Sequence, residues 1–199
     1  MLWYEDEVKR LENEISGFKY VPETIFYGSS SIRMWSSLST DFAAFKPANL
    51  GFGGSTLAAC TWFFDRIFAT LKPRRIIFYA GDNDLGDGRN PEEVFIFFEQ
   101  LLARVKRNFG DIPLAFISVK PSVARWALNN QIKYTNQLIQ QEAAKHPNIS
   151  FIDIYNPMTD ALGYPKRNLF EPDGLHLSLQ GYALWRDIIL NHLQNLQSY

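Results

Sequence analysis

The chain has 199 residues, 46% of them hydrophobic and 21% charged, enough to bury a full core as one domain without disulfides or a metal. Twenty Lys plus Arg against twenty-one Asp plus Glu leave a formal charge of −1, which supplies no electrostatic footprint for nucleic acid or an anionic membrane. The aromatic share of 15%, sixteen Phe included, points to an aromatic core or an aromatic-lined pocket.

The first residues, Met-Leu-Trp-Tyr-Glu-Asp-Glu, lack the basic start and apolar stretch of a secretory signal, and no run of about eighteen apolar residues follows anywhere. The single cysteine, Cys60, has no partner for an intramolecular bridge and fits a reducing compartment. A cytoplasmic location is therefore expected, although a chain from which a leader had been removed would read the same way. Tyr4, Val8, Leu11 and Ile15 are spaced four, three and four apart among charges and predict an amphipathic helix over about 3–16, a surface through which copies of the chain could associate.

Beyond Gly17 and Pro22, β-rich runs alternate with helical ones. Strands are expected at Thr24 to Tyr27, Phe45 to Asn49, Arg75 to Ala80, Leu114 to Val119 and Ile149 to Ile154. Helices are expected at Ser30 to Ser37, Thr56 to Leu71, Pro91 to Asn108, Asn129 to Lys145 and Ser178 to Leu196. Such alternation argues for βαβ units and an α/β fold with a parallel sheet covered on both faces. The stretch from Tyr155 to Asp173 has no periodicity, and loops of that length inside a domain are usually functional or disordered.

Four segments carry candidate chemistry. In Thr24-Ile25-Phe26-Tyr27-Gly28-Ser29-Ser30-Ser31-Ile32-Arg33 a strand meets a glycine turn and then a helix start, a junction that can present a serine hydroxyl beside free main-chain N–H groups. Taken alone, Gly-Ser-Ser-Ser is also an ordinary turn and N-cap composition. Asn49-Leu50-Gly51-Phe52-Gly53-Gly54-Ser55-Thr56 is a second strand-to-helix junction; it lacks the lysine of a phosphate loop and the spacing of a dinucleotide site. Gly81-Asp82-Asn83-Asp84 follows the strongest strand, where Asn83 can offer a side-chain N–H or simply belong to a capped turn. Its calcium-loop reading fails because Asp87 stands where the sharp turn needs Gly. In Pro172-Asp173-Gly174-Leu175-His176-Leu177-Ser178 the acid and the imidazole are three apart and can orient each other. His146 before Pro147, and His192 among polar residues of the last helix, offer no such arrangement.

The order of the four segments, each behind an expected strand, resembles the SGNH hydrolase superfamily, the GDSL-type esterases and lipases. The resemblance spans Phe26 to Ser178. The strings Gly-Ser-Ser-Ser-Ile-Arg-Met-Trp and Leu-Phe-Glu-Pro-Asp-Gly-Leu-His-Leu-Ser are similar to the bacterial branch related to platelet-activating-factor acetylhydrolases. It implies a three-layer α/β/α sandwich of flavodoxin-like kind with a parallel five-stranded sheet. Ser30 would be the nucleophile, His176 the base, Asp173 the orienting acid, and Ser30, Gly54 and Asn83 the oxyanion-hole donors. No cofactor or metal is implied. Two positions depart from the pattern: Ser29 stands where many members have Asp, a familiar variation of the branch, and Asp82 where many have a second Gly.

The expected partner is a small-molecule ester, with a short acyl chain on a carbohydrate or small alcohol as the first choice and a lysophospholipid as the second. An acyltransferase would use the same triad, and a catalytically silent flavodoxin-like binding module would not need it. Pro121 to Leu128 and Tyr155 to Pro172 are expected to wall the pocket, with Trp126, Leu169 and Phe170 either lining it or packing the domain.

Overall fold

Five strands form one all-parallel sheet in the computed structural model, which describes residues 1–196. They are β1 (Thr24–Gly28), β2 (Pro47–Gly51), β3 (Arg75–Tyr79), β4 (Leu114–Ile117) and β5 (Ile149–Ile152), in the order β2-β1-β3-β4-β5. The register aligns Gly28 with Gly51 on one side and with Tyr79 on the other, so the serine turn, the glycine loop and the Asn83 segment leave the sheet at the same level. The strand order reverses at β1, and a reversal of this kind opens a crevice beyond the carboxyl ends of the strands.

Alternation along each strand divides the core in two. Ile25, Tyr27, Ile76, Phe78, Leu114 and Phe116 face one side, where they meet α1 (Glu5–Ser16), α4 (Leu57–Ile67), α6 (Pro91–Phe109) and α7 (Asn129–Ala143). Phe26, Ile77, Tyr79, Ala115 and Ile117 face the other, packing on Trp35, Phe42 and the Trp185, Ile189 and Leu193 stripe of α8 (Leu179–Leu196). The phenylalanines are largely core: Phe64 and Phe68 stack at 4.2 Å, and Phe26 lies 4.6 Å from Phe42. Among the described residues no helix is long and apolar enough to cross a membrane.

Local chemistry sets the helix boundaries. Asn90 and Glu93 form a capping box that spans Pro91 at the start of α6, and Thr56 accepts the Ala59 N–H at the start of α4. The expected helix from Ser30 to Ser37 stops early as α2 (Ser30–Arg33), and a separate turn, α3 (Leu38–Asp41), follows it. The Asp82 segment, expected as a turn, is the short helix α5 (Asp82–Gly86). The loop after β5 has its own hydrogen bonds, Asp160 N–H to Tyr164 O and Lys166 N–H to Met158 O, and includes a 3-10 turn at Arg167–Leu169.

Gly28 is fixed by geometry. Its φ is +143°, and a Cβ there would fall on the Tyr79 carbonyl, so the chain can turn sharply into the serine segment only without a side chain.

Candidate active site

Ser30 is the first residue of α2, two residues past the end of β1. At that position its N–H lies outside the helical hydrogen-bond pattern. Ser29 N–H bonds Tyr79 O at 2.9 Å, which pins the turn across the sheet. Gly54 follows β2 with φ +68°, a conformation glycine adopts without strain.

A chain of hydrogen bonds joins these segments to the histidine loop. Ser55 Oγ donates to Gly28 O at 3.1 Å, Asn83 Nδ2 donates to Ser55 O at 3.0 Å, and Arg125 Nη2 donates to Asn83 Oδ1 at 2.9 Å. Ala124 N–H then bonds Gly174 O at 3.1 Å, inside the turn that carries Asp173 and His176. Arg125 therefore decides which end of the Asn83 amide is oxygen. With one N–H on Ser55, the second N–H of Asn83 has no protein partner among the described residues.

Asp173 and His176 are brought together as expected. His176 Nδ1 lies 2.6 Å from Asp173 Oδ2, while Asp173 Oδ1 accepts the N–H groups of Leu175 (2.9 Å) and His176 (3.0 Å). These bonds, the one with the imidazole first, hold the Asp173 carboxyl down at about 2. Nε2, on the far side of the ring, has no partner among the described residues. The other two histidines are occupied differently. His146 contacts Glu142 at 3.0 Å, and His192 meets Ser150 at 3.0 Å with no carboxylate on its ring among the described residues, so that serine and histidine lack an orienting acid.

Asp82, the departure from the family pattern, points down into the protein. Its Oδ2 accepts a hydrogen bond from Lys120 Nζ at 2.8 Å and lies 3.1 Å from Arg125 Nη1. Lys120, only 2% exposed, also donates to Tyr79 Oη at 3.0 Å and to Ser31 Oγ at 3.3 Å. Burial alone would raise the Asp82 carboxyl, but Lys120 and then Arg125 outweigh it and hold it below the usual carboxylate range. Two cations on one carboxylate leave this buried cluster net positive, beneath the serine turn and the Asn83 amide. Asp84, in contrast, is pushed up to about 6 by burial, although it accepts the N–H groups of Leu57 and Ala58 and faces Arg89.

Leu169 and Phe170 are each 6% exposed and pack in the core on the α8 side of the sheet. Trp126 stays partly exposed and pairs with Tyr164, ring centroids 5.2 Å apart, joining the two loops expected to wall the pocket. Sequence reasoning missed Lys120 and Arg125. The available signal was a lysine directly behind a buried strand, level with an aspartate behind its neighbouring strand.

The fold is a three-layer α/β/α sandwich with the serine turn, the glycine loop and the Asn83 segment leaving the sheet at one level, and the family to which the chain belongs makes it an ester hydrolase. The chain belongs to the GDSL-like lipase/acylhydrolase family, whose model matches residues 24–184. Its fold is similar to that of a Streptococcus pneumoniae protein provisionally described as a platelet activating factor, with TM-score 0.84, 21% identity, and 95% of this chain and 92% of that one covered. It is also similar to a GDSL-like lipase from Bacteroides thetaiotaomicron (TM-score 0.77, 20% identity, 95% and 98% covered). A third structure of the same fold is a lipase/acylhydrolase from Enterococcus faecalis (TM-score 0.69, 21% identity, 87% and 96% covered). No curated protein matches the chain.

Removing one partner from a buried ion pair leaves an uncompensated charge, at a cost of about 3 kcal/mol or more. Asp82→Asn leaves the buried Lys120 without a counter-charge and is therefore expected to lower Tm by roughly 6–12 °C for a chain of this size. Adding Lys120→Met to that variant restores part of the loss, because the thioether carries no charge to compensate. Thermal melts of the two single variants and the double variant check this, and strictly additive losses would show that the two residues do not act as a pair.

Proposed function

We propose that the protein is a serine esterase with Ser30 as nucleophile, His176 as general base and Asp173 as orienting acid. The observation that carries the reading is the Asp173 carboxylate, which is held by two main-chain N–H groups while it fixes Nδ1 of His176 and leaves Nε2 open. In that tautomer Nε2 takes the proton of Ser30 Oγ as the oxygen bonds to the ester carbonyl carbon, and the carbonyl electrons move onto its oxygen. The N–H groups of Ser30 and Gly54 and the uncommitted N–H of Asn83 receive that oxyanion. Collapse expels the alcohol, which leaves with the proton from His176, and water then attacks the acyl-enzyme by the same route to release the acid.

The substrate we propose is a short acyl ester of a carbohydrate or small alcohol. Burial of Leu169 and Phe170 supports a short acyl side, because neither ring nor branch is free to line a long acyl channel. The pair of partly exposed Trp126 and exposed Tyr164 supports a flat partner such as a sugar ring on the alcohol side.

Ser30→Ala is expected to keep the fold and to lose turnover of a nitrophenyl acetate ester by on the order of a thousandfold or more. Retention of a tenth of the wild-type rate would place the nucleophile elsewhere.

The pH dependence follows from Asp173. Its carboxyl is depressed to about 2, so its contribution to stability is complete above the unfolded value of about 3.9 and is lost as pH falls through the folded value. Asp173 is half exposed, and solvent screening keeps that contribution small. It stays ionised wherever ester turnover is measured, so the acid limb of log kcat/KM is expected to rise with a slope of one above about pH 4. A slope of two would show that a second group must ionise.

A further inference from the structure

Catalysis by a main-chain donor demands a fixed peptide plane, yet the segment after β2 is Gly51-Phe52-Gly53-Gly54, with three residues that have no side chain to fix it. The bonds that hold it come from the N-terminus of the chain. Tyr4 Oη donates to Gly54 O at 3.0 Å, Gly53 N–H donates to Glu7 Oε2 at 3.1 Å, and Arg10 Nη2 donates to Gly51 O at 2.9 Å. Tyr4, Glu7 and Arg10 are spaced three apart, which sets them along one face of α1 and its first turn. Val8 and Leu11 of the same helix are fully buried in the core, so the helix is anchored where it makes these bonds. The Tyr4 ring meets Phe52 and Phe63 edge-on at 5.7 and 6.4 Å.

Glu7 joins this contact to the serine turn. Its Oε2 lies 2.9 Å from Arg33 Nε, three residues beyond Ser30 on α2, and 3.2 Å from Arg10 Nη2. Burial would raise the Glu7 carboxyl, but the Gly53 N–H, Arg10 and Arg33 hold it below the usual range, so it stays a carboxylate.

We infer that Tyr4, Glu7 and Arg10 are positioning residues for the oxyanion hole, clamping the Gly51 to Gly54 backbone so that the Gly54 N–H is held toward the reacting carbonyl. The inference rests on the reading of Gly54 as an oxyanion donor. It assigns a catalytic task to a segment outside residues 24–184, the part of the chain that the family model matches. The Gly53 N–H and the Gly54 carbonyl belong to the peptide groups on either side of the one that carries the Gly54 N–H, so the bonds from Glu7 and Tyr4 hold that peptide from both sides without occupying its N–H. The three residues bond the main chain of the loop, and their effect passes through it.

Tyr4→Phe is the cleanest variant, because it removes one hydroxyl and keeps the ring against Phe52 and Phe63. The full chain is assayed on nitrophenyl acetate beside wild type and Ser30→Ala, with a thermal melt of each protein. A hydrogen bond of ordinary strength gives a roughly fivefold fall in kcat for Tyr4→Phe. KM should stay within about twofold and Tm within about 3 °C. Glu7→Gln in the same chain should deepen the fall in kcat, and Glu7→Asp should recover part of it. A Tyr4→Phe protein with wild-type kcat, whether or not its Tm falls, overturns the clamp while leaving the esterase reading intact. A wild-type protein with no turnover above that of Ser30→Ala overturns the esterase reading and the clamp with it.

Discussion

One buried carboxylate ties together the ends of three structural elements. Asp82, at the start of α5 just behind β3, holds Lys120 and Arg125 from the segment after β4, and Lys120 reaches across to Ser31 in the serine turn behind β1. Charges this deep are tolerated only when paired. The pairing therefore dictates where the two loops sit, and through Arg125 it also dictates which way the Asn83 amide faces. In a sheet covered on both faces polar chemistry is confined to the strand ends, and this cluster makes one polar floor from several of them.

The site above that floor is built from main-chain groups more than from side chains. Gly28 permits the sharp turn, Gly54 offers a donor without strain, and Asp173 is fixed by the backbone of its own turn before it fixes the imidazole. Such a site needs support from outside itself, since glycines hold no position of their own. α1 supplies that support on one flank and Arg125 on the other. The amphipathic stripe of α1 turns inward to the chain's own core at Val8 and Leu11, while its polar face meets the glycine loop.

Much of this was legible in the amino-acid sequence. The five strands stand within a few residues of where the β-rich runs predicted them, because strands buried on both faces read as apolar runs bounded by turns. The serine turn, the glycine loop and Asn83 were visible because each sits directly behind a strand, and the Asp173 to His176 turn because an acid and an imidazole stand three apart just ahead of the last helix. α3 and α5 were not visible, since four or five residues are too few to show a helical period. Lys120 and Arg125 escaped because their partners lie 38 to 42 residues away. Tyr4 reads as one more apolar residue of a helix stripe, and its bond to Gly54, 50 residues on, has no local signature. Long-range polar pairing is set by topology, which sequence periodicity does not encode.

The central claim is that Ser30 is a nucleophile made reactive by this edge of the sheet, and covalent capture tests it most directly. The protein is treated with an active-site-directed fluorophosphonate, and the adduct is counted by intact mass and located by peptide mapping. The account predicts one adduct per chain, on Ser30, and none after Ser30→Ala. A wild-type protein that takes up no label, or carries it on Ser29, Ser31 or a residue elsewhere, would contradict it.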